Sequence, residues 1–167
     1  MAFDLPGVMP NSNEETLFKA VGFVVVQFGC AEQVLDMLTT IIFSKAKKQP
    51  KKQPELLTAK TQFIRDNIDC HPILQQLSTE IDALLIRFEK TGEKRNDIVH
   101  GAITSMSSIN GAFKFAKLDI VKGDVPTLRS VHLDDAEFSY FRTELLSLGA
   151  DAIALVKKTM SIVTKQP

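Results

Sequence analysis

The chain is predicted to be mainly α: an up-and-down helical bundle of about four helices, with a small β-hairpin inserted before the last helix. Three observations carry this. Long segments place apolar residues at helical spacing. One segment, about 101–133, switches to a period near two and contains turn pairs. Cap residues and prolines stand where helices should start and stop. The 167 residues fit one domain, 1–167, and the 44% apolar content suffices for a core.

The first helix is expected from Ser12 or Asn13 to about Ser44, with Glu14 and Glu15 favouring its positive end. Val21, Val24, Val25, Phe28, Leu35 and Ile42 form its stripe. Phe23 and Val26 are apolar on the other side, so a second partner surface is expected there. A loop follows at 45–54, with five lysines and two prolines. It reads as a solvated linker, or as a phosphate-attracting arm through Lys47, Lys48, Lys51 and Lys52. The second helix is expected from Pro54 to Ile68, with Pro54 in the first helical position. Pro72 forces a new start. The third helix then runs through Ile73, Leu74, Leu77, Ile81, Leu84, Leu85 and Phe88 to about Val99, passing Gly92. In 101–133, Phe113, Phe115 and Leu118 alternate roughly by two, and Asn110-Gly111 and Gly123-Asp124 mark turns. Asp134 with Glu137 three residues on reads as a capping box. The last helix carries Phe138, Phe141, Leu145, Leu148, Ala152 and Leu155 on one face and ends near Thr164.

Composition narrows the function classes. Formal net charge is zero, without the basic excess of a protein that grips duplex DNA through many phosphates. Cys30 and Cys70 read as reduced thiols of a cytoplasmic protein, and no second ligand pair at zinc spacing accompanies Cys70-His71. No metal and no cofactor are expected. Met1 to Pro10 lacks the pattern of a secretory signal. Glu32 and Asp36 interrupt the most apolar stretch, 20–43, so it reads as a buried helix of a soluble protein rather than a membrane span.

Chemistry can be argued at Arg95-Asn96-Asp97-Ile98-Val99-His100-Gly101. On a helix centred on Phe88, Arg95 falls about 20° from the dry centre, Asn96 about 80° and His100 about 120°. A guanidinium started from the dry side needs a partner. Glu32 lies about 40° from Phe28, inside the first helix's own apolar stripe. Glu32 and Arg95 are therefore expected to meet or to share a water, with Asp36, one turn on, as the next candidate. Asn96 and His100 are four apart, so the amide is expected to orient the ring. The set suits RNA cleavage by its own 2′-hydroxyl. A neutral His can take that proton, and a fixed Arg can hold the developing phosphate charge.

An Arg, a polar residue and a His, late in a helix of an all-α bundle, with four residues between Arg95 and His100, resembles the HEPN superfamily. The resemblance implies a homodimer in which two copies of the motif face each other. It also implies a metal-independent endoribonuclease of the toxin–antitoxin or antiviral kind with a cognate antitoxin protein, or a relative with only a binding role. Arg95, Asn96 and His100 would be the catalytic set, with Glu32 and Asp36 supporting.

Two other readings stand beside this one. Arg65 and His71 also match the spacing but straddle an expected helix end, where both side chains can be solvated. Arg95 can be a structural ion-pair partner and His100 a charge at a helix C-terminus. In that case the chain is a non-catalytic helical dimer module that binds a protein, nucleotide or RNA.

Overall fold

The computed structural model describes residues 12–46, 50–106, 113–119, 125–160 and 162. It is mainly α with a small β insertion. The helices are α1 (Ser12–Lys45), α2 (Leu57–Asp66), α3 (Pro72–Gln76), α4 (Ser78–His100) and α5 (Asp135–Thr159). The strands β1 (Ala102–Met106), β2 (Phe113–Asp119) and β3 (Thr127–Leu133) lie between α4 and α5. They form one antiparallel sheet in the order β1-β2-β3. Lys47, Lys48 and the turn pairs Asn110-Gly111 and Gly123-Asp124 lie outside the described residues.

Apolar periodicity builds the core. Val24, Phe28, Ala31, Leu35, Leu38 and Ile42 of α1 are buried against Leu84, Leu85 and Phe88 of α4 and Leu145, Leu148 and Leu155 of α5. Phe28 and Phe88 meet edge to face, with centroids 6.3 Å apart. The other side of α1 is open: Phe18 is 63% exposed, Val26 59% and Met37 51%. The expectation of a buried helix is therefore correct for one face only. By length and composition α1 could also cross a membrane, with a mean hydropathy of 1.4 over its most apolar stretch.

Three boundaries differ from expectation, the first being the end of α2, at Asp66 instead of Ile68. Residues 54–56 stay outside α2, and Leu56 is extended at φ −75°, ψ 141°. Leu57 opens the helix in close contact with α4: a Cβ on Gly92 would stand 2.5 Å from Leu57 Cδ2. Gly92 thus lets α2 approach, and α4 runs through it unbroken. The expected third helix is two pieces. The backbone of Leu77, at φ −94° and ψ 5°, leaves the helical region between α3 and α4. Hydrophobic spacing reports which face is dry and is blind to such a break, because Leu74 and Ile81 are fully buried on either side.

The sheet covers the C-terminal half of α4. Phe113, Phe115 and Leu133 are its buried side, and Leu118 and Leu128 its exposed side. Gly101 permits the turn from α4 into β1. A Cβ there would stand 2.4 Å from the Asp97 carbonyl oxygen and 3.0 Å from Phe115 Cβ. The capping box of α5 is present: the Glu137 N–H donates to Asp134 Oδ1 at 2.7 Å, and the Asp134 N–H donates to Glu137 Oε2 at 3.4 Å.

Candidate functional site

Arg95 sits where α4 crosses α1 beside the start of α2. Its guanidinium carbon lies 6.0 Å from the Phe28 ring centroid, a cation–π contact. Its Nη1 donates to Asn96 Oδ1 at 2.9 Å. Its Nε is buried without a hydrogen-bond partner among the described residues. The side chain lines a cavity of about 230 Å³ with Phe28, Glu32, Glu55, Leu57, Gly92 and Asn96. A buried donor left unpaired costs roughly 1–3 kcal/mol, and it is an anchor for any anionic oxygen that enters.

Glu32 and Arg95 share this cavity, but among the described residues they form no direct ion pair. Lys60 of α2 takes both carboxylates of α1: its Nζ lies 3.0 Å from Glu32 Oε1 and 2.6 Å from Asp36 Oδ1. Lys60 is only 5% exposed. Burial alone would lower the pKa of its ammonium. The hydrogen bonds to Asp36 and Glu32 outweigh burial and hold it above the ordinary lysine value. Sequence reasoning missed Lys60. A signal existed: Lys60 is four residues before Ile64, so both lie on the dry face of α2.

The remaining site residues are less gathered. Asn96 is exposed and its oxygen is committed to Arg95, so the expected amide–imidazole contact is absent among the described residues. The charged guanidinium is the stronger donor. His100 is exposed in the last turn of α4 and does not line the Arg95 cavity. His100 stands five positions after Arg95, a rise of about 7.5 Å along the helix. Asp36 faces an open cleft with Thr40, Lys52, Gln53, Glu55 and Lys60, and Lys51 and Lys52 are exposed.

The sequence pattern assigns no role to the neighbouring Asp97. It is 4% exposed, 2.5 Å from Arg129 Nη2 and 3.4 Å from Lys117 Nζ. Arg129 also reaches Glu93 at 3.0 Å and Asp119 at 3.1 Å. The pairs to Asp97 and Glu93 fasten the sheet to α4 directly behind the Arg95 motif, and the pair to Asp119 ties β3 to β2. Asp97 lies about 180° from Phe88 on the helix, so only the sheet makes its position dry.

Arg65 is not simply solvated. It grips Glu89 with both terminal nitrogens, at 2.6 and 3.1 Å, and Asp82 with Nε at 2.9 Å. The hydrogen bonds to Glu89, then to Asp82, raise the pKa of its guanidinium above the ordinary value. His71 caps α3, its Nδ1 accepting from the Ile73 N–H at 3.2 Å. Both side chains of that second spacing match are therefore engaged in holding helices. Among the described residues no group of three or more His, Cys, Asp or Glu is placed to hold a metal ion. Comparison of the chain with family models, with curated proteins and with solved structures finds no match.

Proposed function

We propose that the chain is a HEPN-like, metal-independent endoribonuclease, or a relative that keeps the binding site and has lost cleavage. The observation that supports this is the Arg95 guanidinium, whose buried Nε lacks a partner and borders a cavity shared with Asn96. In this reading a phosphate oxygen of RNA accepts from Arg95. His100 takes the proton of the 2′-hydroxyl as the 2′-oxygen bonds to phosphorus and the bond to the 5′-oxygen breaks. The leaving 5′-oxygen is protonated by a second imidazole. The products are a 2′,3′-cyclic phosphate and a 5′-hydroxyl. Asn96 is a positioning residue, since it holds Arg95 Nη1.

One imidazole per chain is thin for acid and base work together. The proposal therefore includes a homodimer that brings His100 of two copies to one groove, in the cytoplasm, with a cognate antitoxin protein as its regulator. Purified chain incubated with single-stranded RNA and chelator should yield cyclic-phosphate ends, and His100→Ala should yield none. Uncut RNA, or equal cutting by the variant, would favour a non-catalytic helical module that binds a protein, nucleotide or RNA. The specific observation on that side is the separation of His100 from the Arg95 cavity.

A further inference from the structure

On the side of α4 away from Asn96, a second cleft of about 400 Å³ opens between α4 and α5. Lys90, Thr91 and Lys94 wall it from α4, and Tyr140, Phe141 and Glu144 from α5. Lys94 and Asn96 point about 160° apart around the helix, so this cleft is separate from the Arg95 cavity. Arg87 also lines it, but that cation is matched by Glu144 at 2.7 Å and Asp151 at 2.6 Å. Lys90 and Lys94 have no carboxylate partner among the described residues. They stand one turn apart on the same face. Lys94 Nζ lies 5.1 Å from the Phe141 ring centroid, a contact that steadies the ammonium without neutralising it. Beside them Tyr140 is 72% exposed, a large aromatic surface that the fold leaves unpacked.

Two unmatched cations and a bare aromatic face in a cleft of nucleotide size are the parts of a stacking platform with a phosphate clamp. We propose that the α4–α5 cleft binds single-stranded nucleic acid, with a base stacked on Tyr140 and a backbone phosphate on Lys90 and Lys94. The choice of nucleic acid among anionic ligands rests on the reading of Arg95 as a phosphate site; the cleft stands on its own residues. A duplex keeps its bases stacked inside and is not the ligand. An acidic peptide would satisfy the lysines and leave the ring bare.

The chain contains one tyrosine and no tryptophan, so its intrinsic emission reports on Tyr140 alone. Titration of the full chain with a short single-stranded deoxyoligonucleotide should quench that emission saturably. That ligand lacks the 2′-hydroxyl and cannot be cut by the proposed chemistry. With a labelled oligonucleotide, Tyr140→Ala should weaken binding by about fivefold or more. Replacing both Lys90 and Lys94 by alanine should flatten the plot of log affinity against log salt by about 0.7, the loss of one phosphate contact on a single strand. Lys90 and Tyr140 are exposed and Lys94 is half-buried, and unchanged thermal unfolding of each variant would show that the fold survives. Unchanged tyrosine emission, equal quenching by duplex, or full displacement by polyglutamate with the ring still unquenched would overturn the inference. Absent RNA cutting with the quench intact would remove the nuclease reading alone. Intact cutting without the quench would remove this cleft alone.

Discussion

Lys60 of α2 and Glu32 of α1 are joined at 3.0 Å in a nearly dry position. That pair, extended to Asp36, answers the carboxylates that α1 carries among its apolar residues. It leaves the Arg95 guanidinium beside Glu32 with a nitrogen still unmatched.

Replacing Lys60 by methionine should destabilise the fold, because it leaves two acids facing the dry side of α2. Both acids keep some solvent contact, so the loss should be about 1–2 kcal/mol in urea unfolding, below that of a fully buried pair. The pKa of Lys60 is raised in the folded state. Its contribution is thus complete below the unfolded lysine value of about 10.4 and fades as pH rises through the higher folded value. The stability gap between wild type and variant should stay constant near neutrality and narrow only in strong alkali.

Arg95 and Asp97 should behave oppositely. Arg95→Met removes an unpartnered buried donor and fills apolar space beside Phe28. Its thermal stability should be equal or slightly raised, while RNA binding or cutting falls. Asp97→Ala leaves Arg129 and Lys117 without their shared buried carboxylate. It should cost about 2–3 kcal/mol, and hydrogen exchange should show the sheet loosening from α4. An Arg95→Met variant that unfolds as readily as Asp97→Ala would mean that Arg95 is a structural residue.

Gly101→Ala should destabilise by about 1–3 kcal/mol, since its new methyl would meet the Asp97 carbonyl oxygen, a backbone atom that cannot turn aside. Gly92→Ala should cost less. There the closest atom is the end of the Leu57 side chain, and alanine regains about 1 kcal/mol of helix propensity. Chemical denaturation of the two variants in parallel measures the difference.

Glu89 is held below the usual carboxylate range chiefly by its hydrogen bond to Arg65, against the opposing effect of burial. The stabilisation it gives is present above the unfolded glutamate value of about 4.3 and disappears as pH falls through the lower folded value. Glu89→Gln should therefore lower stability at neutral pH by up to about 1 kcal/mol. In acid, below both values, the two proteins should converge. A gap that persists unchanged under acid unfolding would mean that packing, not charge, links α2 to α4.

Much of the architecture was legible in the residues themselves. The α1 stripe (apart from Val25, which is exposed), the Asp134–Glu137 capping box and the β insertion follow from spacing and cap chemistry, which are local. So was the inward start of Arg95, because a helix's geometry assigns each residue a direction. What lies in that direction is decided by the packing of distant segments. Lys60 rather than Arg95 meets Glu32 because α2 settles against α1 there. Asp97 is buried because the sheet covers it, with Lys117 and Arg129 reaching back 20 and 32 residues along the chain. Arg65 is tied down because α4 brings Glu89 to it. Burial and ion pairing depend on neighbours in space, and periodicity names a face without naming what will cover it.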